Sequence, residues 1–225
     1  MLDDAKRWDV IHQKTHKDSL ELSAYAKEKE KLFPRGSLVI ELGGGTGADA
    51  SYFLKQGHSV VLLDISAFAL KKAVEKAKKL KVVEKLVVKQ VDFGLHKLPI
   101  KDNSVDIVYS RISLNYFGSN HTTKLFIDIY KMLKVGGIAY LTFKSPDDEN
   151  EMKYLTNSAI LYEPNVYIEN DQLRSRFTVD QLKAMVQKAG ISEFSVEPHQ
   201  ELVSGSGEDQ QSTLFVNEVV FTKTA

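Results

Sequence analysis

Acidic side chains and a dense run of glycines gather between Glu41 and Asp64. Glu41-Leu42-Gly43-Gly44-Gly45-Thr46-Gly47 places a carboxylate just ahead of a glycine-dense corner. Glycine lacks a Cβ, so the backbone can take positive φ and a ligand can approach the main chain closely, while a helix starting here offers free N–H groups. Asp64 closes the next apolar run, Ser59-Val60-Val61-Leu62-Leu63, with Ile65 beside it. A carboxylate at the C-terminal edge of a strand can accept both hydroxyls of a ribose. The pattern predicts a cradle for a ribose-containing ligand that touches backbone.

The flanking sequence supplies the elements that hold this cradle. Leu38, Val39 and Ile40 form an apolar run suited to a central parallel strand, and from Ala48 a helix presents Ala50, Phe53 and Leu54 on one face and stops at Gly57. The reading continues as strand 38–42, helix 47–56, strand 59–63, helix 67–80 and strand 86–90. That βαβα order implies a parallel sheet. Residues 71–89 hold eight lysines, yet Leu70, Ala73, Val74, Ala77 and Leu80 make an apolar stripe, so the lysines read as the solvated face of an amphipathic helix. A fourth strand spans 104–109, a helix 121–134 and a fifth strand 138–143, with Lys134-Val135-Gly136-Gly137 between the last two. Thr178-Val179-Asp180-Gln181 is a capping box opening a helix that ends at Gly190. Strands near 192–199 and 213–223 follow, joined across Ser204-Gly205-Ser206-Gly207 as an antiparallel hairpin.

Two cofactor classes use a glycine corner of this kind. Gly43-x-Gly45-x-x-Ala48 with Asp64 satisfies the dinucleotide fingerprint. Glu41 followed by the denser Gly43-x-Gly45-x-Gly47 instead resembles the acidic-x-G-x-G-x-G motif of the class I S-adenosylmethionine-dependent methyltransferases. The closing hairpin is similar to that family's ending, whereas a dinucleotide-binding half would continue with crossover helices. The resemblance spans roughly residues 36–223 and implies an α/β fold: a Rossmann-like, seven-stranded, mostly parallel sheet with helices on both faces and a C-terminal antiparallel hairpin. It also implies S-adenosyl-L-methionine as cofactor, held by Glu41, Gly43, Gly44, Gly45, Gly47, Asp64 and Ile65. Asp92 would meet the adenine amino group, Phe93 would line the ring, and Ser110 would stand at the ligand edge of the fourth strand. In the turn before the fifth strand, Val135 replaces the family's usual proline.

Asn115, Tyr116 and Phe117 follow the fourth strand, with helix start and core packing as an equal alternative; Asn115 and Tyr116 are the catalytic candidates. The chain lacks the Asn/Asp-Pro-Pro-Tyr signature of amino-directed nucleobase methyltransferases. Lys144 reads as a pocket cation or a surface residue. The run SRISLNYF through RSRFTVDQL is similar, more loosely, to tellurite-resistance-type small-molecule methyltransferases. In that chemistry an acceptor lone pair attacks the sulfonium methyl in line, and orientation and exclusion of water matter more than acid–base help.

Outside this core, residues 1–36 form an N-terminal helical lid segment ending at Pro34-Arg35-Gly36, and 37–225 form the main domain with a substrate-lid insertion at about 147–177. Asp18 and Glu21 start the N-terminal helix, whose apolar stripe is Leu22, Tyr25, Ala26 and Leu32. Trp8 either packs on the domain or covers the methionine end of the cofactor, where an aromatic face attracts a sulfonium. The insertion carries Tyr154, Tyr162, Arg174 and Arg176 without clear period, and aromatics of that density argue for an ordered, functional loop. His12 and His16 share a helical face but have no third ligand, so no metal is expected. Composition bounds the rest: 43% hydrophobic and 27% charged residues, 30 basic against 30 acidic, and no cysteine. These values fit a soluble, cytoplasmic globular protein acting on a small-molecule acceptor, with no nucleic-acid or membrane partner and no disulfide or thiolate chemistry. A macromolecular RNA or protein methyltransferase, a nicotinamide-dependent oxidoreductase and a non-catalytic S-adenosylmethionine-binding regulator stand as the alternatives.

Overall fold

The computed structural model describes residues 4–15, 22–204 and 211–225. In chain order the strands of the main sheet begin with β1 (Leu38–Leu42), β2 (Ser59–Asp64), β3 (Leu86–Gln90), β4 (Val105–Arg111) and β5 (Leu133–Lys144). Three short strands follow, β6 (Ile160–Glu163), β7 (Val166–Glu169) and β8 (Gln172–Ser175), and then the long pair β9 (Phe194–Ser204) and β10 (Gln211–Thr222). The large sheet runs in the order β3-β2-β1-β4-β5-β10-β9. Its first five strands are mutually parallel, and β10 is antiparallel to both β5 and β9. The strand order reverses at β1 and β4, so the cleft at their carboxyl ends is the topological switch point where open α/β sheets bind ligands. The α/β doubly covered sheet and the closing hairpin expected from sequence are both present; the hairpin's joining residues 205–207 lie outside the described residues.

Alternation along each strand sorts side chains to two cores. Val39, Leu62 and Ile107 face a cluster with Tyr25, Phe53 and Ala73 from helices α2 (Ala24–Glu30), α3 (Ala48–Lys55) and α4 (Ala67–Lys79). Their neighbours Ile40, Leu63 and Val108 face a second cluster with Phe126 and Ile129 of α5 (Ser119–Met132) and Leu182 and Val186 of α7 (Val179–Lys188). Burial on both faces is why these strands read as continuous apolar runs. Gly57 ends α3 in the left-handed region at φ +97°, with its N–H and that of His58 returning to Leu54 and Phe53. The capping box of α7 is formed, the Gln181 amide donating to Thr178 Oγ1 and the Thr178 amide to Gln181 Oε1. The remaining helices are α1 (Asp4–Thr15) and α6 (Glu149–Ser158).

Several expectations need correction. Trp8 lies on a helix of its own, α1, rather than before a single N-terminal helix. The main helix of that region starts at the Ser23 cap, and Asp18, Glu21 and His16 lie outside the described residues. Leu32 is 60% exposed, and the adjacent Phe33 takes the buried place. The segment 147–177 is not irregular: it is α6 followed by the antiparallel meander β6-β7-β8. Its alternation is obscured because β6 is exposed along most of its length, so no apolar face marks it as a strand. The turn at residues 134–137 is absorbed into β5 as an irregularity between the Val105 and Ile107 pairings, with Gly136 at φ +81°. No helix among the described residues is long and apolar enough to cross a membrane.

A Cβ on Gly137 would sit 2.9 Å from the backbone oxygens of both Lys134 and Val105. Backbone cannot yield cheaply there, so Gly137→Ala should destabilise the protein by about 1–3 kcal/mol, the range for overpacking. Denaturant unfolding checks this, and an unchanged midpoint would show that the β5 irregularity is not tightly packed.

Candidate functional site

The glycine corner is shaped by what lies against it. β1 ends at Leu42, and Gly47 caps α3 in the left-handed region at φ +74°. A Cβ on Gly44 would lie 2.5 Å from the Glu41 carboxyl carbon, so the acid and the glycine fit only together. Glu41 is 3% exposed and its Oε2 has no hydrogen-bond partner. Burial, and then the nearby carboxylates of Asp49 and Asp64, push its pKa well above the ordinary range, with the Ala50 amide opposing.

Asp64 braces the corner. Its Oδ2 accepts from the Gly45 amide at 2.8 Å and its Oδ1 from the Ser66 amide at 2.8 Å. Burial raises its pKa, while those amides and the charge of His12 pull it back. The Ser66 hydroxyl caps α4 through the Ala69 amide and donates to Asp9 Oδ1 at 2.6 Å; the Phe68 amide also donates to Asp9. Asp9 thus docks α1 on the N-terminus of α4, which sets the His12 ring against Gly45.

A cavity of about 710 Å³ opens above the switch point. Gly43, Asp64 and Ile65 form its floor; Asp92, Phe93 and Leu95 form one wall. Arg111, Ser113, Tyr116 and Phe117 also line it, Phe117 beside Gly94. α1 contributes Asp4, Trp8 and His12, and the turn into β8 contributes Asp171, Gln172 and Leu173. A second cavity of about 290 Å³ holds Glu41, Gly44, Thr46 and Asp49 and shares Gly43, His12 and Arg111 with the first. The size is that of a small-molecule site.

Of the residues singled out from sequence, Trp8, Glu41, Gly43, Gly44, Gly45, Asp64, Ile65, Asp92, Phe93 and Tyr116 line one of these two cavities, whereas Gly47, Ser110, Asn115, Tyr154, Tyr162, Arg174 and Arg176 line neither. Ser110 does not reach the cavity; its hydroxyl is fully buried, donating to the Leu42 carbonyl at 3.2 Å and paired with Ser113 Oγ at 2.5 Å. Asn115 is consumed in holding loops: its Nδ2 donates to the Ile112 carbonyl and its Oδ1 accepts from the Lys144 amide. Tyr154 and Tyr162 are 55% and 59% exposed and do not line the cavity. Arg176 is buried in an ion triad with Glu151, which also accepts from Lys144. Arg174 stands 5.1 Å over the Tyr116 ring and pairs with Glu169, while Trp8 meets the same ring edge-on at 5.1 Å. Burial raises the Tyr116 pKa against Arg174 and Arg176, so its phenol stays protonated.

Sequence reasoning missed Asp4, Asp9 and the contribution of residues 171–173. Glu169-Asn170-Asp171-Gln172 is a two-residue hairpin turn with Asn170 and Asp171 at φ +51° and +61°, and the Asn-Asp pair between two short β-like runs was its signal. Among the described residues no cluster of three or more His, Cys, Asp or Glu has metal-site geometry.

Comparison with known proteins fits this architecture. Residues 40–141 match a family described as a methyltransferase domain. Phosphoethanolamine N-methyltransferase 1 of Triticum aestivum is 28% identical over 170 residues, covering 71% of this chain and 34% of that protein. The chain thus spans about a third of that relative's length. A structure from work on the conversion of a disulfide bond into a thioacetal group during echinomycin biosynthesis superposes with a TM-score of 0.75 at 17% identity, covering 99% of this chain and 92% of that one. Haemonchus contortus phosphoethanolamine N-methyltransferase 2, in complex with phosphomonomethylethanolamine and S-adenosylhomocysteine, gives 0.67 at 16% identity, covering 99% of this chain and 59% of that one. The fold is that of the class I S-adenosylmethionine-dependent methyltransferases.

Glu41 supplies a pH test. A buried carboxyl whose folded pKa lies above the ordinary 4.5 contributes stability that is complete below pH 4.5 and lost as pH rises through the folded value. Glu41→Gln should therefore raise the melting temperature at neutral pH and flatten its decline above pH 4.5. Thermal unfolding of both proteins from pH 5 to 8 checks this; parallel curves would mean that Glu41 is not held against ionisation.

Proposed function

We propose that this chain, which carries a methyltransferase domain on the class I S-adenosylmethionine-dependent methyltransferase fold, binds S-adenosyl-L-methionine at the switch-point cleft and transfers its methyl group to a small-molecule acceptor. The observation that carries this reading is the Asp64 carboxylate, which lines the cavity while bracing Gly45. A carboxylate has about four acceptor positions, and the two amides leave room for a ribose diol. The other contacts suit the rest of the cofactor. Asp92 and Phe93 would receive the adenine, and the unpartnered Glu41 Oε2 the methionine ammonium.

S-adenosylmethionine supplies, when bound, an electrophilic methyl on a sulfonium. The chain's own groups orient and exclude water. Trp8 and Tyr116 give that end of the cavity an aromatic lining that favours a cation. Tyr116, neutral at physiological pH, would act as a hydrogen-bond donor and packing surface rather than as a base. The β6-β7-β8 sheet and α1 together form the lid, both lying outside the βα repeat. A small acceptor is supported by zero formal net charge and by the carboxylate pairing of the cavity-lining Arg111 with Glu201 and of the nearby Arg174 with Glu169. Phosphate-led binding needs free cations.

Titration calorimetry should show S-adenosylhomocysteine binding with no comparable NAD binding. Asp64→Asn should weaken it by about 1.5–3 kcal/mol, the scale for hydrogen bonds to a charged group. Tyr116→Ala should lower turnover more than cofactor affinity. Tight NAD binding without a response to S-adenosylhomocysteine would overturn the assignment, and salt-sensitive RNA binding that stimulates methyl transfer would overturn the small acceptor.

A further inference from the structure

The acceptor end of the cavity has a chemical character of its own. The Glu169-Asn170-Asp171-Gln172 turn delivers two side chains to it from the small sheet. Gln172 is 5% exposed and its side-chain Oε1 has no hydrogen-bond partner, although the residue lines the cavity. An orphaned acceptor at that depth costs free energy unless a ligand donates to it. Asp171 lies beside it at the exposed tip of the turn, and Asp4 faces the same space from α1, pairing with Arg7 only at 3.7 Å. Trp8 and Tyr116, edge to face at 5.1 Å, supply aromatic faces.

Two nearby arginines are closely paired. Arg111 is held by the buried Glu201 through Nε at 2.9 and 3.2 Å and Nη2 at 2.9 Å. Arg174 is paired with Glu169 outside the cavity wall. An anionic acceptor would thus meet carboxylates and two arginines already paired, whereas a donor-bearing cation would meet an orphan carbonyl, two carboxylates and two rings.

On the reading of the site given above, we propose that the acceptor is a small primary or secondary amine, recognised through Gln172 Oε1 and Asp171 and methylated on nitrogen. The amine is drawn in as its ammonium by Asp171 and Asp4, and a proton leaves to water at the cavity mouth, freeing the lone pair. That pair forms the new N–C bond as the C–S bond breaks, its electrons staying on sulfur and cancelling the sulfonium charge. The methylated nitrogen carries the positive charge and loses a further proton to water. Gln172 accepts an N–H throughout and fixes the nitrogen against the aromatic wall.

The test compares phenethylamine with its isosteres 2-phenylethanol and 2-phenylethanethiol, together with ethanolamine and phosphoethanolamine. Each is titrated into the S-adenosylhomocysteine complex by calorimetry and assayed for transfer of labelled methyl. The amines should bind about tenfold or more tighter than the alcohol and thiol, and ethanolamine tighter than phosphoethanolamine. Gln172→Leu should weaken amine binding about tenfold and Asp171→Asn about threefold, with S-adenosylhomocysteine affinity unchanged. Gln172→Glu, which keeps the acceptor oxygen, should retain or tighten amine binding, and Asp171→Asn, on an exposed turn, keeps the test available if Gln172→Leu does not fold. Equal or tighter binding of the alcohol, the thiol or phosphoethanolamine would overturn the inference. So would amine binding indifferent to both substitutions, or the absence of any amine binding. Loss of S-adenosylhomocysteine binding by the unmodified protein would instead overturn the cofactor reading on which this one rests.

Discussion

The Asp64 carboxylate is the point on which the ligand edge of the sheet depends. It is buried, so its charge is tolerable only because the amides of Gly45 and Ser66 donate to it. Those two bonds fix the glycine corner to the end of β2 and the start of α4. Ser66 then passes the constraint outward, its hydroxyl reaching Asp9 of α1. One chain of hydrogen bonds therefore sets the floor of the cavity and hangs one of its walls.

The same corner concentrates negative charge where a folded protein ordinarily avoids it. Glu41, Asp49 and Asp64 are all buried within one turn of the glycines. Asp49 is compensated: Tyr109 and Ser23 hydroxyls both donate to it at 2.8 Å, tying α2 to α3. Glu41 is not compensated to the same degree, its Oε2 having no hydrogen-bond partner. The two cores on the faces of the sheet bury Tyr25, Phe53, Phe126 and Phe143 fully.

The parallel sheet, the glycine corner, Asp64 and the closing hairpin were legible because each rests on a local rule: apolar runs for doubly covered strands, glycine for positive φ, an acid at a strand end. The small sheet was not legible, since β6 shows Ile160, Leu161 and Tyr162 to solvent and gives no alternating pattern. The sites that went astray did so for tertiary reasons. Ser110 and Asn115 stand at the correct strand end, but their side chains are spent on the Leu42 and Ile112 carbonyls, partners that only the folded chain brings near. Tyr154 and Tyr162 belonged to the correct segment but are exposed away from the cavity lining. Gln172 and Asp9 carry no composition signal at all; one is exposed as a site residue by a missing partner and the other by its contact with the α4 cap.

The most direct test of the central claim is a crystal structure with S-adenosylhomocysteine. The account predicts that the ribose hydroxyls lie within hydrogen-bond distance of the Asp64 carboxylate while Gly45 and Ser66 keep their amide bonds to it, with the adenine beside Phe93 and the sulfur facing Trp8 and Tyr116. A ligand seated away from the glycine corner, or an Asp64 side chain that abandons Gly45 to reach it, would contradict the account.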